Sequence, residues 1–423
     1  MKISVFWAAC AAVAFTLSLG GCANQAQPSH TVSQKQTASQ MANKQTYFPP
    51  YNNGQNVAAS RFQTQPVPPA GATVISAAPV AAQPVAGKAV AAILLPLSGK
   101  NAALGQAMLN AAQQAVFDVA GNNFDLQPHD TAGNGGADGA AREALAAGAQ
   151  IIIGPLFATD VPAVKAVAQN TGVQILPLST DTSLAEPGVY VMGLAPGAQV
   201  QRVVDYAIAQ GSHNFAALVP STPYGVLVND VFINQVAQRG GNVVASVTYD
   251  PEAPDVNKIK SIAAQHVDAL FLPEQGGDLK KITDPLTAAG FDAAHTHILG
   301  TGLWDVPDLG KQVAWLNGGW YAAPDPAARH AFIDSYTAAY GAPPPRLATL
   351  AYDATALAAV IAKHNGRYDA ASLTNPNGFA GLDGIFRLTP SGVVERGLAV
   401  DQVTPDGGKV IESAPTSFVM KGH

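Results

Sequence analysis

His295 and His297 stand two positions apart, so on a strand they would share one face and could ligate a metal. A solvated or hydrogen-bonded pair is the simpler reading. Catalytic signatures are missing. There is no GxSxG to mark a nucleophile elbow and no HExxH to set two zinc ligands on one helix face. There is no GxxxxGK to cradle phosphates and no GxGxxG between a strand and a helix. The glycine-rich stretch 133–139 (GNGGADG) reads as a turn from strand to helix. Trp304-Asp305 has no repeat and implies no propeller. Trp315, Trp320 and Tyr321, around Gly318-Gly319, read as core packing, with cleft lining the alternative. The expectation is a non-enzyme with no cofactor and no metal.

The chain has 423 residues, room for about two or three domains and a sizeable core. A formal net charge of −6 leaves no basic surface to neutralise a phosphate backbone, so nucleic acid is excluded as a partner. Charged residues make up 12% and apolar residues 48%. The first figure is about half the usual share and the second is ordinary, a globular composition carrying some low-complexity chain. Both cysteines, Cys10 and Cys22, lie near the start, so the body has no disulfide framework and no CxxC metal site.

Lys2, an apolar stretch over 3–19 and Gly20-Gly21 before Cys22 have the layout of a secretory signal peptide over 1–21. The stretch is marginal for a ~30 Å hydrocarbon core, which argues against a transmembrane anchor. Leu19-Gly20-Gly21-Cys22 resembles the bacterial lipobox, which implies that Cys22 is acylated and becomes the mature N-terminus. Ala23-Asn24 lacks the aspartate of inner-membrane retention; the resemblance therefore implies outer-membrane sorting, lipid-anchored and facing the periplasm. Acyl chains at ~0.8 kcal/mol per buried methylene make a stable anchor. Residues 22–87 begin at that cysteine, carry much Gln, Ala, Pro, Ser and Asn and no Asp or Glu, and read as a disordered tether. As a random coil it spans ~45 Å, and fully extended ~200 Å. Tyr47-Phe48-Pro49-Pro50-Tyr51 could dock on a partner, but the simpler reading is a set of bystanders in that linker.

Downstream, apolar runs alternate with helical periods, the pattern of βαβ units. Strands are predicted at 89–95, 124–128, 150–153 and 173–178, with helices between them. A second series predicts strands at 215–220, 242–249, 269–273 and 297–300, with helices at 224–239, 256–266 and 279–289. The fold class is α/β, with two doubly wound parallel-sheet lobes around a cleft lined by strand C-termini and helix N-termini.

Several segments, in order, resemble the type I periplasmic-binding-protein superfamily in its leucine-binding-protein-like branch. They are ILLPLSGKNAALG (93–105), IIIGPLFATD (151–160), GVQILPLSTD (172–181), LVPSTPYG (218–225), FLPEQGGDL (271–279), LAYDATALAA (350–359) and LDGIFRLTPSG (382–392). The resemblance covers 88–415 and leaves 416–423 as a tail. It implies one lobe from 88–206 plus 324–385 and another from 207–323 plus 386–415. Within the superfamily, the stretch 154–211 and the lipobox with its long tether look most like the penicillin-binding-protein activator lipoproteins. Some members carry an N-terminal helical-repeat domain; here the tether takes that place.

A transport receptor of this branch holds an amino acid's α-carboxylate with hydroxyls and backbone N–H groups and its ammonium with an acid. The resemblance places Ser98, Tyr224 and Asp278 at matching cleft positions. It puts Ala158 where the principal carboxylate-binding serine stands and Asp181 where a threonine stands. Ala158 removes a donor and Asp181 sets a like charge against a carboxylate; a slip of one or two residues would instead bring Thr159, Ser179 and Thr180 to those places. The resemblance thus implies a non-catalytic outer-membrane lipoprotein that binds and activates a bifunctional penicillin-binding protein, a peptidoglycan synthase. The alternative is the substrate-binding lipoprotein of a branched-chain-type amino-acid ABC transporter. In a third reading a small cleft ligand modulates the partner contact.

Overall fold

The computed structural model describes residues 87–276, 278–364 and 367–418. The signal peptide, Cys22, the tether with Tyr47 to Tyr51 and the end of the tail lie outside the described residues. Among the described residues no helix is long and apolar enough to cross a membrane.

The first lobe is built on β1 (Ala89–Leu95), β2 (Phe124–Asp130), β3 (Ile151–Ile153) and β4 (Gln174–Leu176), all parallel in the order β2-β1-β3-β4. β1 and β3 are apolar on both faces because helices cover both. Ala91, Ile93 and Leu95 pack with Met108, Leu109, Leu350 and Leu357 of the helices Ala102–Val119 and Ala348–Lys363. Ala92 and Leu94 pack with Ala141, Val161 and Val164 of the helices Gly136–Ala146 and Val161–Ala168.

The second lobe holds β5 (Asn214–Pro220), β6 (Asn242–Tyr249), β7 (Ala269–Phe271), β8 (His297–Gly300) and β9 (Trp320–Ala323), again parallel. A small antiparallel sheet of β10 (Phe379–Gly381), β11 (Gly384–Leu388) and β12 (Val394–Arg396) follows. β13 (Ala399–Thr404) and β14 (Gly407–Glu412) then return antiparallel to complete the second sheet, β14-β13-β9-β8-β7-β5-β6.

Two lobe boundaries differ from the expected ones. The helix Pro196–Ala209 buries Val200, Val203, Val204 and Ala207 against Phe215, Trp320 and Val400 of the second sheet, so the first crossover precedes it rather than following 206. Phe386, Leu388 and Val394 point into the first core, so the last crossover falls near Gly397-Leu398 rather than at 386. In both cases the apolar face of the segment, not its place in the chain, decides its lobe.

Candidate functional site

Parallel strands end at one edge of each sheet, and there the loops that carry polar side chains run into helices. The two lobes build the first of these loops alike. After β1, Pro96 to Asn101 lead into the helix at Ala102; a Cβ on Gly105 would stand 2.1 Å from the Pro96 carbonyl oxygen. After β5, Ser221 and Thr222 lead into the helix Pro223–Gln238; a Cβ on Gly225 would stand 1.9 Å from the Pro220 carbonyl oxygen. Only glycine lets each helix seat against the strand end.

On the first-lobe edge, Ser98 is exposed. Its backbone N–H and that of Leu97 donate to Asp130 Oδ1 at 3.3 and 2.8 Å, and the Ala132 N–H donates at 2.9 Å. Burial works against ionisation of Asp130, yet the Ser98 hydroxyl and these N–H groups hold its carboxyl below the ordinary value. Ala158 opens a 3-10 turn, Ala158–Asp160, that feeds the next helix, with Thr159 exposed beside it. Asp160 is pushed up by burial, against a hydrogen bond from Thr159. In the following loop Ser179 is buried, Thr180 half-buried and Asp181 exposed. Ser179 Oγ accepts from the Asp181 N–H at 3.0 Å, and Asp181 Oδ1 accepts from Ser183 N–H and Oγ at 3.0 and 2.6 Å. These side chains are engaged in shaping their own loop.

The second-lobe edge is built differently. Thr222 Oγ1 accepts from the Gly225 N–H at 3.1 Å, which fixes the first turn so that the Tyr224 hydroxyl meets Thr301 Oγ1 at 2.7 Å. Tyr249, at the end of β6, donates to Glu274 Oε2 at 2.7 Å, and the Gln275 N–H donates to Oε1 at 3.0 Å. Trp304 Nε1 donates to the Glu274 carbonyl at 3.0 Å. Burial raises the Glu274 carboxyl above its ordinary value, against the hydrogen bond from Tyr249. Burial and then the charge of Glu274 raise Tyr249 strongly, and burial does the same to Tyr224. Asp278 opens the helix Asp278–Ala288 and pairs with Lys281 Nζ at 2.7 Å.

The structure thus gathers Ser98, Ala158, Thr159, Ser179, Thr180 and Asp181 on the first-lobe edge and Tyr224 and Asp278 on the second, each set organised by partners within its own lobe. Tyr249, Glu274, Thr301 and Trp304 were not singled out from the sequence as edge residues. A visible signal existed for Glu274, an acid directly after the predicted strand 269–273. A groove of about 880 Å³ lies beside the crossovers, lined among others by Thr182, Pro196, Leu227, Arg396 and Phe418 but by none of the expected cleft residues.

His295 and His297 do not converge. His295 Nδ1 pairs with Asp292 Oδ2 at 2.8 Å, while His297 stacks on Trp320 with centroids 3.9 Å apart. Among the described residues no group of three or more His, Cys, Asp or Glu could hold a metal ion. Trp304, Trp320 and Tyr321 are core residues, and Trp315 packs on that core.

Residues 90–407 match the model of a periplasmic binding protein family. The chain belongs to the periplasmic-binding-protein family. Its two-lobed α/β architecture is the type I fold, shared with a putative branched-chain amino acid ABC transporter protein of Rhodospirillum rubrum at TM-score 0.67 and 20% identity, covering 77% of this chain and 100% of that one. A solute binding protein of R. palustris in complex with benzoate gives TM-score 0.52 at 20% identity, covering 78% and 98%. A leucine binding protein of Thermotoga maritima gives 0.53 at 21%, covering 77% and 98%. At such identities the likeness establishes the fold alone. An uncharacterised protein of Rickettsia prowazekii is 23% identical over 181 residues, 42% of this chain and 48% of that protein, so the chain spans about half the length of the curated relative it matches.

Proposed function

We propose that this periplasmic-binding-protein domain binds a small solute between the carboxyl edges of its lobes and acts as the solute-binding component of an ABC transporter. The observation that supports this is the second-lobe edge, where Tyr224, Tyr249, Glu274 and Thr301 bring hydroxyls and a carboxyl to neighbouring strand ends. It stands in a family whose structural relatives include solute binding proteins. The first-lobe edge narrows the solute. Ala158 offers no hydroxyl and Asp181 is an anion, so a carboxylate held by those two positions is disfavoured, by several kcal/mol in a closed cleft. Ser98 and Thr159 are exposed hydroxyls there. The test is a thermal-shift screen followed by calorimetry against branched-chain amino acids, benzoate, 4-hydroxybenzoate and their neutral amides. Micromolar binding of any of them supports the reading, and silence across the panel sinks it.

The same two residues, with the lipobox and long tether, favour a second reading: an outer-membrane lipoprotein that reaches a bifunctional penicillin-binding protein and activates it as the activator lipoproteins do. Activation then requires tighter binding to the synthase's active conformation, since equal affinity for both states shifts nothing. Retention of a purified bifunctional synthase by the chain, together with a silent solute panel, supports this reading; no retention removes it.

A further inference from the structure

Beside the crossover from β9 to the helix Pro326–Tyr340, four charged side chains from both lobes meet. Asp305 belongs to the second lobe, directly after Trp304 of that core. Arg329 belongs to the first lobe, because its helix packs Phe332 and Tyr336 on Ala111, Ala115 and Tyr352. Arg346 precedes the first-lobe helix Ala348–Lys363, and Asp383 lies in the turn from β10 to β11. Arg329 Nη2 donates to Asp305 Oδ1 at 3.1 Å, and its Nη1 lies 2.8 Å from Oδ2 as an ion-pair contact. Arg346 pairs with Asp383 at 2.9 and 3.1 Å and reaches toward Asp305 at 3.7 Å. Thr349 Oγ1 donates to Asp383 Oδ2 at 2.7 Å. Asp383 is fully buried, while the side chains of Arg329, Arg346 and Asp305 keep 11, 15 and 19% exposure.

We infer that this cluster is an interlobe strap that sets the angle between the lobes. A largely buried, charge-assisted pair resists separation far more than an exposed one, because parting it strands a charge in low dielectric. Its position beside a covalent crossover matters as much as its strength. A contact near the pivot moves little as the lobes rotate, so it acts on the resting angle itself and not as a lid closed by solute. The strap is independent of any solute and so of the transport reading.

The test uses the full chain without solute, with Cys10→Ser and Cys22→Ser and spin labels on cysteines placed at exposed Gln113 and Gln238, one per lobe. Pulsed dipolar distances are expected to be narrowly distributed in this parent. Arg329→Met is expected to broaden the distribution and move its mean by several ångströms, and Arg329→Lys to give a lesser change. Arg239→Met, which removes an exposed pair with Asp205 inside the second lobe, is expected to leave it unchanged. An unaltered distribution in a folded Arg329→Met chain overturns the strap. Should that variant not fold, Asp305→Asn carries the same test: broadening supports the strap and an unaltered distribution overturns it.

Discussion

The two carboxyl edges begin with the same device and diverge after it. Each seats its leading helix against a strand end through a glycine, Gly105 over Pro96 and Gly225 over Pro220. Beyond that point, polar groups of the first edge turn inward on the backbone: Asp130 collects N–H groups, Ser179 takes the Asp181 N–H, and Asp181 caps Ser183. Polar groups of the second edge meet one another, each pair reaching past one intervening strand: Tyr224 after β5 with Thr301 after β8, and Tyr249 of β6 with Glu274 after β7. The first edge therefore spends its polar side chains on its own backbone, while the second pairs side chain with side chain. Two buried carboxylates, one in each lobe, also differ. Asp383, though desolvated, is held low by Arg346, Arg396 and Arg329, while Asp401 on β13 is pushed up to about 7 by burial and then by the charge of Asp305.

The largest expected effect breaks the shared device. Gly105→Ala and Gly225→Ala force a Cβ into a backbone carbonyl, and each is expected to lose about 3 kcal/mol in urea unfolding; a mild effect in one lobe only would show that the seats are not equivalent. Next come the opposed carboxylates. Asp401 binds its proton more tightly folded than unfolded, so its stabilisation is full below about pH 4 and lost as pH rises through 7, at about 1.4 kcal/mol per pH unit. Asp401→Asn is expected to remove that decline in Tm between pH 5 and 7. Asp383 has the opposite sign: its stabilisation is present above about pH 4 and lost on acidification, so Asp383→Asn is expected to cost more at neutral pH than at pH 3. On the second edge, Tyr249→Phe removes the donor to a buried Glu274 oxygen and is expected to cost about 2 kcal/mol by urea unfolding. Smallest are the caps. Thr222→Ala is expected to lose about 1 kcal/mol, and Asp181→Ala less, because it caps only a 3-10 turn.

Much of the fold was legible because short runs rich in apolar residues alternate with helical periods, as parallel strands joined by crossover helices require. The runs 89–95, 242–249 and 297–300 are the observed β1, β6 and β8, and the remaining predicted strands lie within a few residues of theirs. Lobe membership was less legible, since Val200 and Val203 or Phe386 and Leu388 are apolar whichever sheet receives them. The edge was readable where a motif marks it, as at Tyr224 before Gly225. It was not readable at Thr301, whose partner lies 77 residues away, nor at the strap, whose Asp305 and Asp383 are brought together only by the crossovers. Hydrogen-bond partners so far apart in sequence leave no periodic trace.

The claim that the second edge is the recognising wall is tested most directly by calorimetric titration of whichever panel solute binds, into the parent chain, Tyr224→Phe and Thr159→Val. The account predicts micromolar binding to the parent, a tenfold or greater loss in Tyr224→Phe, and a smaller loss in Thr159→Val. Equal affinities in the parent and Tyr224→Phe, or the larger loss in Thr159→Val, would contradict it.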